Sequence, residues 1–209
     1  MMHLSEKYFP GLTPLQRERL ISLEEHYRKW NALINVISRK DIDRLDIHHI
    51  LHSLAIARVI SFKPGTSVMD AGTGGGFPGI PLAILFPDSH FTLVDSIGKK
   101  IKVIDQITAD LDLDNITTLN ARFETVKQSF DFVTGRAVSN LPKFCAMVRN
   151  CVKKTGFNDL PNGILYLTGG EVEQEVTHIR AKSETWALSD FFTEDYFSTK
   201  KLVHLYNLL

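Results

Sequence analysis

The chain has 209 residues, and its 24 Lys and Arg balance its 24 Asp and Glu, so the formal net charge is zero. The 44% hydrophobic and 23% charged fractions are those of a globular chain of one domain or little more that buries its own apolar core. This composition excludes disordered, collagen-like and coiled-coil proteins, and the neutral charge argues against a protein that coats nucleic acid or anionic membrane through bulk electrostatics.

The first residues lack a signal-peptide pattern, and apolar windows such as residues 79–86 are too short to span a bilayer. We therefore predict a cytoplasmic protein without a membrane partner. Cys145 and Cys151 form neither a disulfide framework nor a metal-ligand pair, which predicts buried free thiols. If their segment is helical, a separation of six residues points them to nearly opposite sides of the axis.

Residues 1–62 are predicted to form an N-terminal helical extension. Thr13 and Gln16 suit a capping box with Pro14 in the first turn of the helix, and a second helical pattern covers residues 41–60. Residues 63–209 are predicted to form the core, packed with the extension as one unit. The apolar face of the first helix repeats at intervals of three or four residues: Leu20, Leu23, Tyr27, Trp30 and Ile34.

After Pro64, short apolar runs alternate with helical patterns, which is typical of an α/β fold. The last two strand-like runs have no helix between them, so they should pair as an antiparallel hairpin. We predict a mostly parallel seven-stranded sheet, the Rossmann-like pattern of class I methyltransferases rather than that of a dinucleotide dehydrogenase. The predicted strands are 67–70, 90–94, 116–119, 131–134, 163–168, 185–192 and 201–208, and the predicted helices are 79–86, 98–111, 140–152 and 171–182.

A glycine-rich segment follows the first predicted strand, at the edge where open α/β sheets bind ligands. Gly72, Gly74 and Gly76 suit a sharp turn with positive φ that a ligand approaches closely. The spacing of Gly74, Gly76 and Gly79 matches a dinucleotide fingerprint, whereas Asp-x-Gly-x-Gly-Gly is typical of S-adenosylmethionine (SAM) sites. Asp95, at the end of the second strand, can accept the ribose hydroxyls of either ligand.

Two features favour SAM over a dinucleotide. About 60 helical residues precede the first strand, whereas dinucleotide domains often begin with that strand. Pro78 and Pro81 also remove N–H donors at the start of the following helix, and a diphosphate would need such donors.

Six segments of the chain are specific enough to indicate a family: VMDAGTGGGFPGIPLAI (68–84), LVDSIGKK (93–100), WNALINVIS (30–38), HILHSL (49–54), RFE (122–124) and RA (136–137). In these segments, and over nearly its whole length, the chain resembles the ribosomal small-subunit methyltransferase G family. This resemblance implies a SAM-dependent enzyme that methylates N7 of a guanine in a loop of 16S rRNA near the decoding site. It also implies that Gly72, Phe77, Phe123, Glu124 and Arg136 contact the cofactor. One departure is Thr168, since many members carry lysine there.

Guanine N7 has a lone pair and no proton, so its methylation needs no general base, and no acid–base constellation is predicted. Asn35, Ser38, Phe77 and Arg136 are candidates for positioning the guanine. Arg136 suits the SAM carboxylate or an RNA phosphate, and the alternative is a structural salt bridge at the end of the fourth strand.

His48 and His52 have the i,i+4 spacing of metal ligands, but no third ligand is evident, so we predict packing or RNA contact and no metal. Sheet packing is favoured over base stacking for the aromatic residues near the C-terminus, which are Trp186, Phe191, Phe192, Phe197 and Tyr206.

The predicted partner is 16S rRNA or the small ribosomal subunit, and no obligate interface pattern argues against a monomer. Because the net charge is zero, RNA should be held by a few phosphates at local basic groups, with a modest salt dependence. The alternatives are an NAD(P)-dependent oxidoreductase and a non-catalytic small-subunit-binding factor. The basic groups are Arg39, Lys40 and Arg44, then Lys99, Lys100 and Lys102, and finally Arg122 with Arg136.

Overall fold

The structure is a computed structural model that describes residues 4–34, 36–38 and 41–208. It opens with two α-helices, α1 over Leu4–Tyr8 and α2 over Pro14–Asn31.

The predicted start of α2 is confirmed. Thr13 Oγ1 accepts a hydrogen bond from the Gln16 amide at 3.2 Å, and Gln16 Oε1 accepts one from the Thr13 amide at 2.9 Å. This reciprocal capping satisfies two N–H groups that the first turn leaves free. The predicted apolar face of α2 buries Leu20, Leu23 and Tyr27.

The second helical segment, residues 42–58, is helical as predicted, but its winding changes along its length. The Ser53 hydroxyl donates to the His49 carbonyl at 2.6 Å, and such a bond competes with the regular backbone ladder. The segment consists of a 3₁₀ turn (Ile42–Arg44), a π-helical stretch (Asp46–Leu51), a short α3 (His52–Leu54) and a 3₁₀ turn (Ala55–Arg58).

Seven strands form one sheet in the order β3-β2-β1-β4-β5-β7-β6. The first five are parallel, and β7 runs antiparallel to both β5 and β6, so the predicted sheet and its terminal hairpin are confirmed. The strands are β1 (Ser67–Ala71), β2 (His90–Asp95), β3 (Ile116–Asn120), β4 (Phe132–Arg136), β5 (Gly163–Gly169), β6 (Lys182–Ala187) and β7 (Lys200–Tyr206).

Helices cover both faces of the sheet, and the helical extension covers one of them. Leu165 and Leu202 pack in the same cluster as Leu20 of α2, whereas Tyr166 and Val203 face the opposite cluster. Side chains alternate between faces along a strand, which produces this division. The boundary between 1–62 and 63–209 stays a prediction. The remaining helices are α4 (Gly79–Leu85), α5 (Gly98–Asp110), α6 (Leu141–Val148) and α7 (Glu173–Thr177).

Two boundaries near the C-terminus were predicted wrongly. The helix predicted over 171–182 is limited to α7, and the strand predicted over 185–192 ends at Ala187, where a 3₁₀ turn over Leu188–Asp190 begins. Leu188 and Phe192 are both buried, and the Phe192 amide bonds to the Leu188 carbonyl at 3.0 Å. A backbone bond between residues four apart requires a turn rather than an extended strand, and this turn packs both side chains in the same core cluster.

Both cysteines are free and buried, as predicted. Cys145 and Cys151 nevertheless pack in the same hydrophobic cluster rather than on opposite sides. The helix stops at Val148, and a 3₁₀ turn over Arg149–Cys151 carries the second thiol back toward the sheet.

Candidate functional site

The glycine loop between β1 and α4 adopts the turn that its sequence predicts. Gly72, Gly74 and Gly76 have φ values of +73°, +62° and +93°, a region that favours glycine. The amides of Gly72 and Thr73 both bond to the Val94 carbonyl at 2.9 Å, which ties the loop to β2. A Cβ at Gly76 would lie 2.5 Å from Ile80 Cδ1, so this glycine also serves close packing.

Asp70 braces the loop from the end of β1. Its Oδ2 accepts the Thr73 hydroxyl at 2.7 Å and the Gly79 amide at 2.9 Å, and its Oδ1 accepts the Thr134 hydroxyl at 3.3 Å. The carboxyl is fully buried, and this burial raises its pKa to about 6 although the hydrogen bonds from Thr73 and Gly79 oppose the rise. Asp70 thus fixes the loop without facing a ligand.

Tyr27 of α2 braces the loop from the other side. Its hydroxyl donates to the Gly75 carbonyl, and its ring lies 4.8 Å from that of Phe77. The helical extension therefore shapes the loop directly. The apolar periodicity of the sequence identified Tyr27 as a core residue, but it could not predict the hydrogen bond to the Gly75 carbonyl.

Asp95 ends β2 beside the loop, as predicted. Its Oδ2 accepts the Gly74 amide at 2.9 Å and its Oδ1 accepts the Ile97 amide at 2.8 Å. Each carboxylate oxygen can accept a further hydrogen bond, so both remain able to receive a ribose hydroxyl.

A cavity of about 580 Å³, which we call the Asp95 cavity, lies between the ends of β1, β2 and β4. Most of the predicted cofactor contacts meet there, whereas Gly76 lines neither this cavity nor its neighbour. Lys100 and Arg122, from the predicted basic groups, also line it. The predicted residues that line it are Gly72, Gly74, Asp95, Phe123, Glu124 and Arg136.

A second cavity of about 450 Å³, the His48 cavity, lies between the glycine loop and the second helical segment. The rings of His48 and Tyr196 stack at 4.1 Å with an interplanar angle of 18°, and Phe77 also lines this cavity. The two cavities share Gly72, Gly74, Arg136 and Ala137, so they meet at the loop. Sequence reasoning missed Tyr196.

Arg136 stands where the two cavities meet. Its guanidinium donates to the His48 carbonyl at 2.9 Å, lies 2.8 Å from His49 Nδ1 and sits 5.4 Å from the centre of the Phe77 ring. Burial lowers its pKa, but an arginine stays charged. Within the described ranges no carboxylate forms a salt bridge with it, so the predicted alternative of a salt bridge at the end of β4 is not observed. The structural role of Arg136 is instead to hold the second helical segment against β4.

Two of the neighbouring histidines, His49 and His52, are held neutral. Burial, together with the charge of Arg136, lowers the pKa of His49 to about 3, and burial likewise lowers the pKa of His52. His48 Nδ1 lies 3.0 Å from Asp41 Oδ1, and His52 Nδ1 lies 3.1 Å from the Tyr196 hydroxyl. Among the residues described, no three His, Cys, Asp or Glu side chains are grouped so as to hold a metal ion.

Ser38, a predicted positioning residue, lines neither cavity. Ser38 is exposed, and its hydroxyl donates to Asp41 Oδ2 at 2.6 Å. Asn35, Arg39 and Lys40 lie outside the described residues.

Phe192 and Phe197 are buried in the core, as the packing interpretation of the C-terminal aromatic residues predicted.

No helix in the described part of the chain is both long and apolar enough to cross a membrane.

A family model described as rRNA small subunit methyltransferase G matches residues 16–201. A Porphyromonas gingivalis protein named ribosomal RNA small subunit methyltransferase G is 53% identical over 201 residues, which cover 96% of this chain and 91% of the relative. The Christiangramia forsetii protein of the same name is 50% identical over 204 residues, covering 98% and 96% of the two chains.

Solved structures support the fold. A SAM-dependent methyltransferase from Aquifex aeolicus superposes with a TM-score of 0.55 at 15% identity, covering 81% of this chain and 98% of the other. An rRNA methylase from Streptococcus thermophilus gives a TM-score of 0.51 at 14% identity, covering 76% and 95%. At this identity the likeness concerns the fold, which is that of class I methyltransferases.

Proposed function

Because this chain belongs to the rRNA small subunit methyltransferase G family, we propose that it transfers a methyl group from SAM to N7 of a guanine in a loop of 16S rRNA near the decoding site. The observation that carries this proposal is the meeting of the two cavities at the glycine loop. One cavity suits a nucleoside, the other suits a base, and the atoms that react would meet between them.

The Asp95 cavity fits SAM. Gly74 has positive φ and lines both cavities, and a Cβ built there would meet no atom closer than the Gly72 carbonyl oxygen at 4.0 Å, so the loop leaves open space for a ligand. Asp95 would accept the ribose hydroxyls, and Phe123 with Glu124 would lie beside the adenine. When bound, SAM supplies an electrophilic methyl group on a sulfonium.

The His48 cavity would receive the guanine. The N7 lone pair forms the new C–N bond as the methyl–sulfur bond breaks, which leaves a neutral thioether and moves the positive charge to the guanine. No proton moves, so the protein needs to supply position rather than a base. His49 and His52 are neutral and add no repulsion to the charge that develops on the base.

Phe77 and Arg136 would act as positioning residues. Phe77 packs against Tyr27 on one side and lies 5.0 Å from the His49 ring on the other, so its place between the loop and the histidines is fixed. Arg136 keeps the wall of the His48 cavity in place through the His48 carbonyl. Ser38 and Asn35 stay candidates from sequence, and Thr168 lines the His48 cavity without a positive charge.

The partner is proposed to be the small ribosomal subunit or its 16S rRNA, met in the cytoplasm by a monomer. Membership of a methyltransferase family argues against the nicotinamide-dependent alternative. A non-catalytic subunit-binding factor would bind small subunits without transferring a methyl group, and this difference is measurable.

The test combines cofactor binding with product mapping. By calorimetry, the wild type should bind SAM with 1:1 stoichiometry. Gly74→Val should weaken binding at least about tenfold, since the new side chain fills the space that the glycine loop leaves for the ligand. Gly65→Val is the matched control, because Gly65 also has positive φ and open surroundings but lines neither cavity.

Tritiated SAM should then label unmethylated small subunits, and 7-methylguanine should map to one position of 16S rRNA. Absence of SAM binding by the wild type, or binding to subunits without label, would refute the proposed activity.

A further inference from the structure

Lys200 directs its side chain to the His48 cavity from the start of β7, beside the end of β5. It is the first residue of β7 and pairs with Gly169 of β5. Because side chains alternate along a strand, Lys200 shares the face of Leu202, which is the face covered by the helical extension. It is half-buried and lines the cavity together with Tyr196.

Gly169 leaves the space that this side chain uses. A Cβ added at Gly169 would lie 3.2 Å from Lys200 Nζ and 3.4 Å from its Cδ, so the lysine crosses the glycine on its way to the cavity. Its ammonium sits 4.8 Å from the centre of the Tyr196 ring, which also stacks with the ring of His48. The aromatic face fixes the ammonium at the rim.

The ammonium of Lys200 has no anionic partner in the described part of the chain, where no carboxylate lies within salt-bridge distance of it. Its neighbour Lys201 differs, because it points to the opposite face and bonds to Glu173. The acid of the cavity, Asp41, is engaged by the Ser38 hydroxyl and by His48. Lys200 therefore carries a positive charge in a cavity whose carboxylate, that of Asp41, already has other partners.

We propose that Lys200 binds a backbone phosphate of the RNA whose guanine enters the His48 cavity. This inference rests on the proposed function and specifies how the substrate is held. A base that enters the cavity brings its phosphodiester chain to the rim, where the ammonium lies. Arg136 donates to the His48 carbonyl, so among the described residues that line this cavity Lys200 is the cation free to bind a phosphate.

Lys200 also bears on the departure at Thr168. Many members of the family carry lysine at that position, whereas this chain has threonine. Thr168 pairs with Lys201 in the register, one step from the pair of Gly169 and Lys200. Paired residues share a face of the sheet, so Thr168 lies on the face of Lys201, and the positive charge on the face covered by the helical extension comes from Lys200 of β7.

The experiment measures binding of unmethylated small ribosomal subunits, with S-adenosylhomocysteine present, as potassium chloride is varied at constant magnesium. Lys200→Met keeps the apolar stem and removes the charge, and Lys200→Arg restores a charge. Lys201→Met is the matched control, since it removes an adjacent lysine from the opposite face. Calorimetry with SAM is run on all variants.

We expect Lys200→Met to weaken subunit binding roughly tenfold at 0.1 M salt, the loss of one charge-assisted hydrogen bond. The slope of log K against log salt should become shallower by about 0.7, the value for one phosphate contact on single-stranded RNA. Lys200→Arg should recover most of the slope, and Lys201→Met should leave it unchanged. SAM affinity should stay within about twofold throughout.

Three outcomes overturn the inference. If Lys200→Met and Lys201→Met have equal slopes, Lys200 does not contact a phosphate. If Lys200→Met weakens SAM binding instead, its partner is the methionine carboxylate of SAM. If the wild type transfers no methyl group to the subunits, the proposed function fails and the inference fails with it. If the wild type transfers normally but Lys200→Met binds subunits like the control, only the inference about Lys200 fails.

Discussion

Replacing Asp70 by Asn should change how the stability of the protein depends on pH. Asp70 is fully buried, and its pKa is raised from 3.8 to about 6 by that burial. Asparagine has nearly the same shape: its carbonyl oxygen can accept from Thr73 and Gly79 as Oδ2 does, and its amide can donate to the Thr134 hydroxyl. The variant should therefore fold with the glycine loop in place.

The sign follows from proton binding. Between pH 3.8 and about 6, the folded wild type holds a proton on Asp70 that the unfolded chain has released. The contribution of Asp70 to the free energy of unfolding is therefore greatest below pH 3.8 and is lost as the pH rises through about 6. The Asn variant has no such loss, so its stability relative to the wild type should increase with pH.

The magnitude follows from the same shift. Since a tenfold change in proton affinity is about 1.4 kcal/mol, the full difference is about 3 kcal/mol, of which about 2 kcal/mol falls between pH 4.5 and 7.5. Urea unfolding followed by circular dichroism at several pH values measures it. Asp114→Asn, at an exposed acid, is the control and should show a nearly constant difference from the wild type.

A difference between Asp70→Asn and the wild type that stays constant within about 0.5 kcal/mol across this range would refute the reasoning. It would mean that the buried carboxyl is ionised at all these pH values.

Three further variants test other contacts. Tyr27→Phe leaves the buried Gly75 carbonyl without its donor and should lower the free energy of unfolding by about 1–3 kcal/mol while weakening SAM binding, by urea titration and calorimetry. Gly163→Ala places a Cβ 2.2 Å from the Leu205 carbonyl oxygen in β7 and should cost more than about 2 kcal/mol; an unchanged urea midpoint would contradict the tight β5–β7 packing. Arg136→Met should abolish methyl transfer and raise the pKa of the neighbouring His49, which histidine NMR titration detects.

Local chemistry explains why much of the fold was predictable. The capping box at Thr13, the alternation of strands and helices, and the glycine loop each depend on residues close together in the sequence. Positive φ at Gly72 and Gly74 follows from the same local rule. Asp95 was predictable because the end of a parallel strand meets the ligand edge of its sheet.

The errors occurred where burial decided between two local patterns. The apolar run after Ala187 is compatible with both a strand and a turn, because residues four apart share a side in either, and only the tertiary structure shows the turn that buries Leu188 and Phe192. The helix predicted after β5 has few buried residues to stabilise it, and α7 is correspondingly short.

By itself, the sequence determined the class of fold, the position of the glycine loop and the acid that faces it, because these follow from spacing and from backbone conformations open mainly to glycine. Only the tertiary structure decided what closes the site. The Tyr27 hydroxyl reaches Gly75 across 48 residues, and Arg136 reaches His48 across 88. Periodicity assigns such side chains to a face, but a hydrogen bond also needs direction and distance, and these are fixed when the helical extension packs on the sheet. Lys200 and Lys201 differ for the same reason. They are identical neighbours in sequence but point to opposite faces, and within the described residues only Lys201 meets a carboxylate.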